Sequence, residues 1–270
     1  MGVANERDFY RLKDLNDEDV DWIRKLAINE NKNPRIKETH ENLLKMYLTP
    51  FQILKSLREK GLSDLQFESE LDIILNNFEE ELHSKIEASA IEILESLQCG
   101  DTSFYHDDEK CITFMHYMTT QYFRTNSMKQ NYLSVIGSDP LAKRINIDKI
   151  WNILSHILST DLGFSIYCDR SRFRLIKIVN ETQVPFITGD QPLFNTYAIG
   201  KHNSDPVFNL DFYYPVTPTL AYLLTENPVM TISEIRVNKE ADIDSYNKSV
   251  VAFSFEQVYS CSAESLQRYC

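Results

Sequence analysis

From about Glu68 to Gln98 apolar side chains return at helical spacing: Leu71, Ile74, Leu75, Phe78, Leu82, Ile86, Ala90, Ile93 and Leu97, with Gly100 as the stop. About 30 residues at a rise of about 1.5 Å span roughly 45 Å, so this one helix sets the long dimension of the molecule. Other helical signals surround it. Asn16 caps a segment carrying Val20, Ile23 and Ala27; Pro34 opens a second with Ile36, Leu43, Leu44 and Tyr47; Pro50 starts a shorter one that closes at Gly61. Asp107 to Glu109 place acids at the head of a helix running through Met115 and Tyr122 towards Tyr132, and a further helix around Trp151 ends near Asp161 to Gly163.

Beyond residue 163 the texture changes. "RFRLIKIVNETQVPFITG" alternates polar and apolar residues, breaks at Asn180 to Gln183 and resumes, which predicts a two-stranded hairpin. "FYYPVTPTLAYLL" and "PVMTISEIRV" add aromatic and β-branched extended segments. A helix from about Glu240, with Ile243, Tyr246, Asn247 and Val250 on one face, leads to a short strand near Gln257 to Ser260. Helices first and strands later predict an α+β fold, its helical N-terminal two-thirds (about 1–163) packed on a small, mainly antiparallel sheet from the C-terminal part (about 164–270). No Pro/Gly/Ser-rich linker interrupts the chain, so residues 1–270 are expected to form a single domain.

Charge and cysteines narrow the function classes. The 28 basic and 40 acidic residues give a net charge of −12, which argues against non-specific DNA binding while leaving room for a local basic groove. The five cysteines match no zinc template and read as free thiols of a reducing cytoplasm. No apolar run approaches a membrane span, so a cytoplasmic protein without a membrane partner is expected.

Candidate chemistry gathers in two places. In "FMHYMTTQYFRTNSM", Phe114, Tyr117, Gln121, Arg124 and Met128 share one helical face, so an amide and a guanidinium sit among aromatic neighbours and need partners. In "FITGDQPLF", three strand-forming residues run into Gly189, Asp190, Gln191 and Pro192. Asp190 is suited to ligate a divalent metal ion or act as general base, and equally to cap backbone N–H groups in a turn. Arg170, Arg172 and Arg174 fall on one face if their strand extends that far, a row able to hold phosphates or to pair with neighbouring acids. Glu80 and His83 have the E-x-x-H spacing of bundle metal sites but count as outward-facing; His40, His106, His116, His156 and His202 form no ligand pattern.

Three blocks then occur in order: "QYFRT" at Gln121 to Thr125, "PFITGDQPLFN" at Pro185 to Asn195 and "YYPVTPTLAYLL" at Tyr213 to Leu224. Across about Asp8 to Ser260 the chain resembles the bacterial domain-of-unknown-function family 4238, in which blocks of this kind precede a helix bearing an Asn, here Asn247. Members of that family usually open with a block close to H-Y-V-P-Q. None stands here, so the chain is expected to be a shorter relative or to lack its natural beginning. The resemblance implies a fold and candidate positions and no reaction.

Together these features favour an enzyme acting on a phosphate-containing substrate, a small molecule or nucleic acid, as a hydrolase or nuclease-like effector of a toxin or phage-defence system. Asp190 is the expected metal ligand or base, Arg124 the anion clamp and Gln121 the orienting amide, with Gln191, Tyr214, Arg172 and Arg174 binding substrate. The alternative is a non-catalytic regulatory module whose acidic helical half binds a partner protein and whose "GDQP" turn is structural.

Overall fold

The computed structural model describes residues 11–29, 33–62, 64–136, 146–201, 205 and 207–269; residues 1–10, His202 and Cys270 fall outside them. The architecture is α+β. Eight α-helices are described: α1 (Asp17–Ile23), α2 (Pro34–Glu59), α3 (Leu65–Gln98), α4 (Asp108–Phe123), α5 (Asn126–Ile136), α6 (Ile147–Cys168), α7 (Glu240–Phe253) and α8 (Ala263–Leu266). Seven strands follow α6 in the chain, namely β1 (Arg174–Asn180), β2 (Thr188–Gly189), β3 (Phe194–Asn195), β4 (Asp211–Pro215), β5 (Leu220–Thr225), β6 (Glu234–Val237) and β7 (Val258–Tyr259). No described helix is long and apolar enough to cross a membrane.

The main sheet has the order β3-β4-β5-β1-β6, antiparallel except where β6 runs parallel to β1. Alternation along the strands feeds two cores. Phe212 and Tyr214 of β4 and Tyr222 and Leu224 of β5 pack with α3 and α4, while Tyr213, Ala221 and Leu223 face α7. A third apolar cluster joins α1, α2, the first turns of α3 and α6 around Trp151. The phenol of Tyr222 donates to the Leu97 carbonyl at 2.6 Å and so pins the sheet to the end of α3.

Four local expectations change. The hairpin predicted within residues 172–189 does not form: β1 pairs with β5 and β6, and of the returning stretch only β2 is a strand, pairing with β7. Asn180 turns the chain away, its Oδ1 accepting from the Thr182 amide and its Nδ2 donating to the Val184 and Pro218 carbonyls, and Pro185 has no N–H to extend a ladder. Pro50 lies inside α2 on its buried face and starts no new helix. The central helix breaks at Arg124 and Thr125, where the Thr125 hydroxyl takes the Met128 amide at the head of α5. α6 runs past Gly163 to Cys168 because that glycine lets it cross α4 closely; a Cβ there would stand 2.9 Å from Thr119 Oγ1 and 3.2 Å from the Met115 carbonyl oxygen.

Candidate functional site

The buried seam of α3 reads Leu71, Leu75, Glu79, His83, Ile86, Ala90, Ile93 and Leu97. Steps of four from Leu71 and Leu75 thus put a carboxylate and an imidazole on the apolar face, where the sequence count had run through Ile74, which is 51% exposed. Glu80 is exposed as expected, but His83 is turned inward, one helical turn from Glu79 and one from Glu87.

α6 faces this step with His156. Its Nε2 stands 3.1 Å from Glu79 Oε2, and His83 Nε2 stands 3.6 Å from the same oxygen. One potential ligand atom from each of the three residues lies within 4.8 Å of the other two, and the imidazoles face each other with centroids 4.9 Å apart. The other Glu79 oxygen, Oε1, accepts from the Tyr47 hydroxyl of α2. All four side chains are buried. Burial raises the Glu79 carboxyl, an effect partly offset by His156, and burial together with the charges of His156 and Arg124 pushes His83 down to about 2. His83 is therefore neutral at physiological pH.

Arg124 ends α4 beside this group. Its Nη1 meets Glu87 Oε1 at 2.5 Å, and Gln121 Nε2 donates to the same oxygen at 3.4 Å. The Arg124 side chain is only 12% exposed while that of Glu87 is 45%, so the polar seam reaches solvent at Glu87. The Arg124 Nε has no hydrogen-bond partner among the described residues. Tyr117 and Tyr214 bond to each other through their hydroxyls at 3.1 Å, and burial raises both phenols.

The other sequence candidates sit elsewhere. The Asp190 carboxylate accepts three backbone amides, Phe255 at 2.8 Å, Glu256 at 2.7 Å and Gln257 at 3.1 Å, so both of its oxygens are engaged with the segment after α7. Gln191 docks on the end of α4, accepting from the Thr125 hydroxyl and donating to the Tyr122 and Leu193 carbonyls. The arginine row does not form, because residues 169–173 turn before β1 begins at Arg174. Arg170 pairs with Asp108, Arg172 is a surface side chain 3.5 Å from Glu226, and Arg174 lies opposite Thr225. Gln121, Arg124 and Tyr214 thus come together, whereas Arg172 and Arg174 lie apart from them. A cavity of about 670 Å³ opens nearby between α5, α7 and the β3 loop, lined by Tyr122, Met128, Tyr132, Gln191, Phe194 and Phe253 among others.

Glu79 and His156 were missing from the sequence candidates. For Glu79 and His83 a signal existed, the phase set by Leu71 and Leu75; for His156, on a helix buried on most sides, there was none.

The fold and seam define an α+β protein with a buried Glu/His/His group beside a clamped arginine. The family model for "Protein of unknown function (DUF4238)" matches residues 2–264, and the chain belongs to that family. Neither a curated protein nor a solved structure is matched by it.

Proposed function

We propose that this chain is a hydrolase acting on a phosphate-containing substrate, with its chemistry in the seam between α3, α4 and α6. The observation that carries the reading is the arrangement of Arg124 and Gln121 at the solvent end of a buried group made of Glu79, His83 and His156. A substrate oxyanion that replaces the Glu87 carboxylate on the guanidinium would gain two parallel N–H···O bonds in a poorly hydrated setting, where such bonds are strongest. Gln121 would orient the same group, and Glu79, His83 and His156 line the inner side of the seam. Asp190 takes the role of a latch holding the 255–257 segment, and Gln191 that of a strut fixing the end of α4. Tyr214 acts through Tyr117 in shaping the seam. Arg172 and Arg174 lie outside it.

The net charge of −12 favours a nucleotide or another small phosphate ester over a duplex, since a duplex needs a broad basic face. A nucleotide-cleaving effector of a toxin or phage-defence system is the setting in which we place such an activity. The test is turnover of a panel of nucleotides, p-nitrophenyl phosphate, RNA and DNA, with and without added divalent metal, by the full chain and by Arg124→Ala. Cleavage that falls by about 100-fold in the variant is expected; a wild-type chain that cleaves nothing on the panel refutes the reading.

One observation favours a protein partner as a second reading. Leu62, Leu65, Ile73 and Ile74 are exposed near the α2–α3 turn, in the acidic helical half. Cross-linking in cell extract that maps to these residues, in a chain without turnover, would select it.

A further inference from the structure

We infer that Glu79, His83 and His156 form a binding site for a divalent transition-metal ion of the zinc class, with Tyr47 as the contact that orients the carboxylate. This rests on the reading above, whose cofactor it supplies, and it goes further by naming the ligands and the kind of ion.

The first argument is metric. A tetrahedral ion with bonds of about 2.0–2.2 Å holds its ligand atoms roughly 3.3–3.5 Å apart, and octahedral cis positions come to about 3.0 Å. Glu79 Oε2 stands 3.1 Å from His156 Nε2 and 3.6 Å from His83 Nε2, which brackets the tetrahedral separation. On the third side, one potential ligand atom from each residue lies within 4.8 Å of the other two, so the imidazoles would draw together around an ion.

The second argument concerns the carboxylate. Tyr47 holds Oε1 from the side, and this leaves Oε2 as the atom turned towards both imidazoles. A ligating carboxylate is commonly fixed through its second oxygen in this way.

Charge supplies the third. Glu79 is 1% exposed, its described contacts are a phenol and two imidazoles, and the nearby guanidinium of Arg124 is spent on Glu87. A buried anion needs a proton or a cation. One divalent ion converts a site charge of −1 to +1, and a bound hydroxide would bring it to zero.

Donor type selects the ion. Two nitrogens and one carboxylate oxygen suit zinc, manganese, iron, cobalt or nickel rather than magnesium or calcium, which prefer all-oxygen shells. Three protein ligands leave at least one position for water or substrate, as in catalytic rather than structural zinc sites.

The competing arrangement is a proton shared between Glu79 and His156 with no metal. To separate the two, the full chain is purified without metal-affinity resin and its metal content measured by mass spectrometry. The chelated protein is then titrated with Zn²⁺ by calorimetry and with Co²⁺ by visible absorption. About one equivalent per chain is expected, with a Co²⁺ spectrum of mixed N/O ligation, at least roughly 100-fold weaker binding in His83→Ala and His156→Gln, and about 10- to 100-fold weaker binding in Tyr47→Phe. The Co²⁺ spectrum of the wild type decides the matter if the variants fail to fold. Absence of binding by Zn²⁺, Co²⁺, Mn²⁺ and Ni²⁺, or binding unchanged in both histidine variants, overturns the inference. Metal bound without turnover on the phosphate panel would keep the site and refute the hydrolase; turnover by metal-free protein would do the reverse.

Discussion

Replacing Asp190 by Asn should loosen the C-terminal segment and leave the seam intact. The carboxylate is 7% exposed and takes amides at 2.8, 2.7 and 3.1 Å, two of them on Oδ2. Asn keeps one acceptor for the Phe255 amide but turns an NH₂ group towards those of Glu256 and Gln257, donor against donor. A charge-assisted hydrogen bond contributes roughly 1.5–3 kcal/mol when buried. Phe255 and Glu256 are exposed residues, so water can replace part of each loss, and we take about 1 kcal/mol per bond plus a similar amount for the donor clash. The variant should therefore lose roughly 2–3 kcal/mol, a drop in Tm of about 4–6 °C for a chain of this size. Thermal and urea unfolding measure the loss, and turnover and metal content are read well below the lowered Tm, where they should match the wild type. A variant that melts within about 1 °C of the wild type yet loses turnover would place Asp190 in the chemistry and refute the latch.

Two further outcomes follow from the same geometry. Gly189→Ala would place its Cβ 2.0 Å from Ser254 Oγ and 2.9 Å from the Gln257 carbonyl oxygen, so a destabilisation of about 1–3 kcal/mol in urea melts is expected, only partly relieved by adding Ser254→Ala; a single variant as stable as the wild type would show that β2 and β7 separate freely. His40 is fully buried and burial lowers its pKa despite Asp161 Oδ1 at 3.3 Å, so the unfolded chain binds the proton more readily than the folded one. Its contribution is intact above about pH 6.5 and is lost as pH falls, with a slope approaching about 1.4 kcal/mol per pH unit. His40→Leu should flatten that part of the stability profile, and an unchanged profile would mean that His40 binds its proton equally well in the folded and unfolded chain, which refutes the burial effect.

How much the sequence disclosed depended on how far apart the partners lie. α3 was readable because its stripe is local, and so were α7 with Asn247 and the aromatic strands β4 and β5. Strand β1 was readable as a strand but not in its pairing, since β5 and β6 come from more than 40 residues away and nothing in "RLIKIVN" names them. Gln121 and Arg124 were found because polar groups on an apolar helical face need partners. Their partner, Glu87, belongs to another helix and carried no sign of it. Asp190 stood out as an acid between a glycine and a proline, yet what it binds are backbone amides some 65 residues on, which any sequence would offer. Glu79 and His83 escaped because a search for apolar periodicity passes over the polar members of the same stripe.

That polar step also divides α3. Leu71 and Leu75 belong to the cluster around Trp151, and Ile86 to Leu97 belong to the cluster beneath the sheet, with the half-buried Leu82 touching both. One rod thus runs through two hydrophobic bodies, and at its midpoint an ionisable group replaces the aliphatic cement. In amide hydrogen exchange the two ends of α3 should behave as separate cooperative units whenever the Glu79 group is weakened, and as one when it is bridged. The state of three side chains would then govern how rigidly the helical half is joined to the sheet.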